Sequence, residues 1–244
     1  WLKKQKQSKI ISGSVRTGEG NTIDKEEKHA GFRFMGQRFI PDSHIMTMLT
    51  SPRVGSDAKP RNMTSGLDVM AVFGSREAHQ ELAETRQNIP GFSDNYKSLR
   101  QHYSSIDRGV KDSTIYWAWL TSFQNLFDNT TKNLQPWMKS KAWQYRLLLA
   151  AHGSWAELRH DTILYAKQSY AEMGGPPPNT VYYAGQPAVP KGYVEPNLGF
   201  FRQLKRTVSL TRDKMRKAKV LTDQYRQKLV IFSRILNRLS SIAS

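Results

Sequence analysis

The sequence predicts a mainly α-helical, multi-helix domain with a few short extended segments in its N-terminal third. Three observations carry this prediction. Apolar residues recur at spacings of three and four between residues 113 and 173, and again between 197 and 242. Gly and Pro cut the rest of the chain into pieces of helix length. At 244 residues and 38% hydrophobic, the chain can bury a core without disulfides or metal.

The elements follow in order. Residues 1–28 are polar and unpatterned, and read as an arm or strap. The aromatic and basic stretch from His29 to Pro41 could anchor on a core through Phe32, Phe34 and Phe39, with Arg33 and Arg38 between them. Asp42 or Ser43 is placed to cap a short helix over Ile45–Leu49. Residues 51–65 read as a loop. Gly66–Gly74 is an apolar run whose length fits a buried strand or a buried helical turn equally. Ser75 opens a charged helix that Pro90 ends. Ser93 caps the next, with Tyr96, Leu99 and Tyr103 on one face, and Gly109 breaks it.

From Ser113 to Phe127 apolar residues cover most of a helical surface, so this helix is predicted to be central. Pro136 suits the first turn of the next helix. Residues 139–173 hold one glycine, Gly153, and no proline. They form one helix, or two with a restart at the Ser154-x-x-Glu157 capping-box pattern, which favours two. Residues 174–196 carry six of the 11 prolines and read as an irregular crossing. Residues 197–244 form two basic amphipathic helices that pack on the core domain of residues 29–173. Together these make one domain. The first residue is Trp1, and the last residues still carry a helical pattern, so the chain reads as a processed product or an excerpt of a longer protein.

The formal charge is +17, from 37 Lys+Arg against 20 Asp+Glu. It is unevenly placed. Residues 191–244 hold 13 basic and 3 acidic side chains, a net +10, while residues 29–190 carry +4. A basic end on a nearly balanced body favours a local docking face over a general nucleic-acid surface. Its cations are Arg202, Lys205, Arg206, Arg212, Arg216, Lys217 and Lys219. The partner it would take is an acidic protein or polymer, or other parts of its own longer chain. Nucleic acid is disfavoured because aromatics are not interleaved with the basic residues. No apolar run approaches the ~18 residues of a membrane span.

Cys is absent, which excludes thiol catalysis, Cys-ligated zinc and iron–sulfur clusters. His-Glu-x-x-His, Gly-x-Ser-x-Gly and phosphate-cradling Gly-rich motifs are missing as well, and no cofactor is called for. The densest polar cluster spans 154–170. On a helix it sets Glu157, His160, Asp161 and Gln168 on one side. Glu157, His160 and Asp161 are the catalytic candidates of a hydrolase reading, with a carboxylate as base and His160 as proton carrier or ligand. The structural reading makes Arg159, Glu157, His160 and Asp161 a buried or half-buried ion network, with Tyr165, Lys167 and Gln168 alongside. Glu157-x-x-His160 has one counterpart, Glu26-x-x-His29 in the polar arm, so a di-iron template fails. A second cluster comprises Arg38, Asp42 and His44, with Arg61 and Asp68 nearby. Its structural reading has Asp42 capping a helix and pairing with Arg38. Trp117, Trp119, Trp137, Trp143 and Trp155 read first as core.

Three blocks carry a resemblance: FRFMGQRFIPDSH (32–44), RNMTSGLDVMAVFGS (61–75) and SWAELRHDTILYAKQSY (154–170). With GYVEPN (192–197) and the helix pair behind it, they resemble the prokaryotic domain-of-unknown-function family 3160 over about residues 31–242. The likeness implies a mainly helical, extracytoplasmic protein of the secreted or lipoprotein kind, and supplies no reaction. The sequence departs from the family pattern at 61–65 and at 147–152. The combined expectation is an extracytoplasmic binding or assembly component, with the hydrolase and the acidic-partner subunit as alternatives.

Overall fold

The computed structural model describes residues 39–86, 88–127, 135–162 and 194–244. The arm of residues 1–28, Arg38, Tyr165, Lys167, Gln168 and most of the Pro-rich crossing lie outside them. The described chain is mainly α. Its helices are α1 (Pro41–Met48), α2 (Gly66–Phe73), α3 (Arg76–Arg86), α4 (Phe92–Ser105), α5 (Arg108–Lys111), α6 (Ile115–Phe127), α7 (Lys141–Thr162), α8 (Leu198–Lys217) and α9 (Asp223–Ile242). A 3-10 turn at Pro136–Lys139 leads into α7. The only sheet among the described residues is a two-residue hairpin, β1 (Gly55–Ser56) against β2 (Lys59–Pro60).

The ambiguous run at 66–74 is a helix, and it is the centre of the core. Val69, Met70, Ala71, Val72 and Phe73 are each at most 2% exposed. A helix apolar on all sides has to be surrounded, and α1, α3, α4, α6 and α7 all pack on α2. Its last carbonyls are met from α4. Tyr96 donates its hydroxyl to Ala71 O at 3.3 Å, and Arg100 Nη1 donates to Ala71 O and Val72 O, each at 3.3 Å. A cation at this end complements the helix dipole. The end of α1 is closed in the same way, by Asn95 Nδ2 donating to Met48 O at 2.9 Å.

Helix α7 runs unbroken through Gly153. The restart at Ser154 does not form, and its capping hydroxyl is engaged elsewhere. Ser154 Oγ accepts the indole N–H of Trp119 at 3.0 Å, and Glu157 is exposed. Gly153 is also exposed with open space around it, so nothing forces a break there. Other boundaries moved too. Asp42 sits inside the first turn of α1, whose N-cap is Ile40. The N-cap of α4 is Gly91 in the left-handed region (φ 73°), not Ser93. Gly109 lies inside the one-turn α5, which Asp107 caps by accepting from Gly109 N.

Among the tryptophans, Trp117 and Trp155 are buried, Trp119 and Trp143 are half-buried, and Trp137 is exposed. Where α2 meets α7, a glycine permits the approach. A Cβ on Gly66 would stand 1.9 Å from Nε2 of His152, whose ring stacks on Trp155 at 5.6 Å. Gly66→Ala is therefore expected to destabilise by about 1–3 kcal/mol, as overpacking does. Thermal denaturation of Gly66→Ala in a His152→Ala background should show most of that loss removed, since the clash is with one side chain.

Helices α8 and α9 form a hairpin whose first arm lies on α6. Gln203, 4% exposed, donates Nε2 to Ala118 O at 3.3 Å and accepts from Arg108 Nη2 at 2.7 Å. Lys214 Nζ donates to Ser113 O at 2.9 Å. Helix α9 rests chiefly on α8, and Leu236 is its one fully buried residue.

Candidate functional site

The polar centre of the molecule is Asp42, which is fully buried. Pro41 starts α1 and sets Asp42 in its first turn, where a carboxylate is favoured by the helix dipole. Three side chains from two other helices converge on its Oδ2. Tyr116 donates its hydroxyl at 2.7 Å, Trp155 its indole N–H at 2.8 Å and Arg159 its Nη1 at 2.6 Å. Oδ1 accepts the backbone N–H of Ser43 at 2.9 Å. The guanidinium of Arg159 lies 5.5 Å from the Trp155 ring centroid and closes the cluster from outside, with 20% of its side chain exposed. Burial, and after it the Asp42 charge, push the Tyr116 hydroxyl far above the ordinary tyrosine range. Tyr116 therefore stays a donor.

A shorter chain of bonds runs beside it. Tyr103 donates its hydroxyl to Pro41 O at 2.8 Å and contacts His44 Nδ1 at 3.0 Å. A hydroxyl has one proton, so Nδ1 of His44 is the donor in that second bond. Burial and the Asp42 charge raise the Tyr103 hydroxyl as well.

The second buried pair is Arg61 with Asp68. Arg61 Nη2 bridges both carboxylate oxygens at 2.8 Å each, Nη1 donates to Leu49 O, and the guanidinium lies 5.0 Å from the Phe92 ring centroid. Asp68 also accepts the backbone N–H of Ser65 at 2.7 Å, which fastens the start of α2. One arginine thus ties the end of α1, the start of α2 and the start of α4.

These contacts redistribute the residues singled out from sequence. The predicted ion network on α7 does not form. Its Arg159 points to Asp42, whereas Glu157, His160 and Asp161 face solvent, with His160 67% and Asp161 64% exposed and 3.2 Å apart. The physical reason is register. Trp155, Leu158 and Ala151 form the buried stripe of α7, Arg159 lies at its edge, and the three candidates fall on the opposite side. None of the three lines either of the two hollows described below. Asp42 is held by Arg159, while Arg38 falls outside the described residues. Among the described residues no three His, Asp or Glu side chains are grouped to hold a metal ion. Asp42 itself is fully buried and receives four donors, three of them on Oδ2, so it acts as a keystone joining α1, α6 and α7.

A hollow of about 410 Å³ lies between α6, α7 and the start of α8, walled by Phe123, Leu147, Phe200 and Phe201. Its charged members, Arg146 and Glu195, are paired with each other.

The basic helix pair leaves more exposed. All seven cations predicted for the docking face are exposed. Arg206 is committed to Asp112, whose carboxyl it holds below the ordinary aspartate range through hydrogen bonding. Arg212 and Arg216 flank Asp213 at 3.7 and 3.0 Å. Sequence reading missed two things here. One is Arg226 on the first turn of α9, which joins this group. The other is the apolar content of the outer side: seven of the twelve large exposed apolar side chains among the described residues lie between Val220 and Ile242. Ile231, Phe232, Ile235 and Ile242 fall on one side of α9, and a helical-wheel reading of 223–242 could have found them.

The sequence model of one family, described as "Protein of unknown function (DUF3160)", matches residues 1–244. The chain belongs to this family. The match takes in the polar arm that the block resemblance left aside. No curated protein and no solved structure matches the chain. No helix among the described residues is long and apolar enough to cross a membrane.

Proposed function

We propose that this protein is an extracytoplasmic helical binding or assembly component, and that it docks an acidic protein partner through the outer side of α9. The observation that carries the docking is the apolar stripe of Ile231, Phe232, Ile235 and Ile242, 42–66% exposed and bordered by cations. Exposed apolar side chains gathered on one side of a helix mark interaction sites. Residues 191–244 carry +10, which disfavours a second copy of the same face and favours an acidic surface with an apolar ridge. The secreted or lipoprotein character of the family pattern supports the location.

A photo-crosslinking amino acid at Ile235 tests this in intact cells, with Met63, 80% exposed on the hairpin side, as the control position. The expected result is an adduct at 235 alone, to an acidic segment of another protein outside the cytoplasm. Raising salt from about 50 to 500 mM should abolish it, because exposed charge attraction is screened at that strength. An adduct onto residues 1–38 or 163–193 of the same chain, equal adducts at both positions, or none, overturns the docking. Resistance of the protein to protease added to intact spheroplasts overturns the location.

A further inference from the structure

Helix α8 ends in a Schellman motif: Val220 N donates to Met215 O at 3.0 Å and Lys219 N to Arg216 O at 3.1 Å. The left-handed position of that motif is ordinarily glycine. Here it is Lys219, at φ 60°, and among the described residues it is the one non-glycine with positive φ. The turn brings Lys219 beside Arg212 and Arg216 of α8, one helical turn apart, and Arg226 of α9. With Leu221 these four cations line an open cleft of about 420 Å³. Like charges four residues apart on a helix repel, and a lysine in the left-handed region is disfavoured against glycine. Two carboxylates compensate part of the charge, Asp213 beside Arg212 and Arg216, and Asp223 at 3.3 Å from Arg226. Four cations against two anions leave the cleft electropositive. The N-terminus of α9 opens on the same turn and adds its dipole, with the Thr222 hydroxyl accepting from Tyr225 N at 3.3 Å.

We infer that this cleft is an anion site for a phosphate-bearing group. Three guanidiniums present planar forks that match the oxygens of phosphate, and the volume suits a compact, multiply charged headgroup rather than an extended chain. The one apolar wall, Leu221, with Val220 55% exposed next to it, leaves room for the ester side of such a group. The site shares no residue with the α9 stripe and does not rest on the docking reading.

The test is calorimetry of the full chain with inorganic pyrophosphate, alongside co-sedimentation with phosphatidylcholine vesicles with and without phosphatidylglycerol. Arg212→Gln/Arg226→Gln is compared with Arg234→Gln/Arg238→Gln, which removes the same charge from α9 outside the cleft. All four side chains are exposed, and circular dichroism confirms the fold. The cleft variant should lose affinity at least about tenfold, as expected for lost charge-assisted hydrogen bonds, and the control about twofold or less. Pyrophosphate binding with this pattern assigns the site to soluble phosphate compounds. The same pattern on anionic vesicles alone assigns it to a lipid headgroup. Equal losses in the two variants, or binding to neither probe, overturn the inference.

Discussion

Replacing Asp42 by alanine is expected to destabilise the protein by about 3–5 kcal/mol, as removing one member of a buried ion pair does. The loss is large because three donors are stranded together: the Tyr116 hydroxyl, the Trp155 indole and the Arg159 guanidinium all end on one oxygen. Arg159, 20% exposed, can turn to water; Trp155, 7% exposed, cannot. Asp42→Asn keeps one acceptor at the same place but not its charge, and should lose roughly half as much, about 1.5–3 kcal/mol for a charged hydrogen bond weakened. In a double-mutant cycle, Asp42→Ala should be milder in an Arg159→Ala background, because the attraction between Arg159 and Asp42 is already gone. Urea denaturation followed by tryptophan fluorescence reads all of these. An Asp42→Ala variant within about 1 kcal/mol of the parent would show that the cluster is not the keystone described, since that is the size of a single ordinary hydrogen bond.

The same cluster explains what was legible in the sequence. The helices at 113–127 and 197–242 were visible because their apolar spacing is a local property that packing merely uses. The run at 66–74 was undecidable, since a helix buried on all sides loses its period and looks like a buried strand. The Asp42 site was half visible. Asp42 stood out as a helix-capping candidate with Arg38 and His44 near it, but its partners are 74, 113 and 117 residues away. No local spacing encodes such contacts. In the same way Glu157, His160 and Asp161 do share one helical side, as their spacing requires, but the spacing carried no information on whether that side faces the core. The buried stripe of Trp155 and Leu158 decides it. The Ser65-x-x-Asp68 pattern at the start of α2 went unread in the sequence, although it is a local signal whose physical content is the Ser65 N–H to Asp68 bond.

Arg61 should behave as the second keystone, with a different signature. Arg61→Ala leaves Asp68, fully buried, with the Ser65 N–H at 2.7 Å and the Ser65 hydroxyl at 3.5 Å as its remaining hydrogen-bond donors, and releases Leu49 O at the end of α1. A loss of about 3–5 kcal/mol is expected from the uncompensated buried charge. Desolvation, rather than any shortage of contacts, makes this loss large. Removing both charges should therefore recover much of it. Arg61→Met/Asp68→Leu keeps apolar volume in the same space, and buried pairs replaced in this way are often neutral or better. Recovery should stop short of the parent, because Asp68 also holds the start of α2, and losing that function costs about 0.5–2 kcal/mol. Arg61→Met/Asp68→Leu is thus expected to be more stable than either Arg61→Ala or Asp68→Leu alone. Urea midpoints on the four proteins decide the point. If the single losses simply add in the double variant, the two side chains are not coupled, and the tie between α1, α2 and α4 must be carried by the apolar contacts around them.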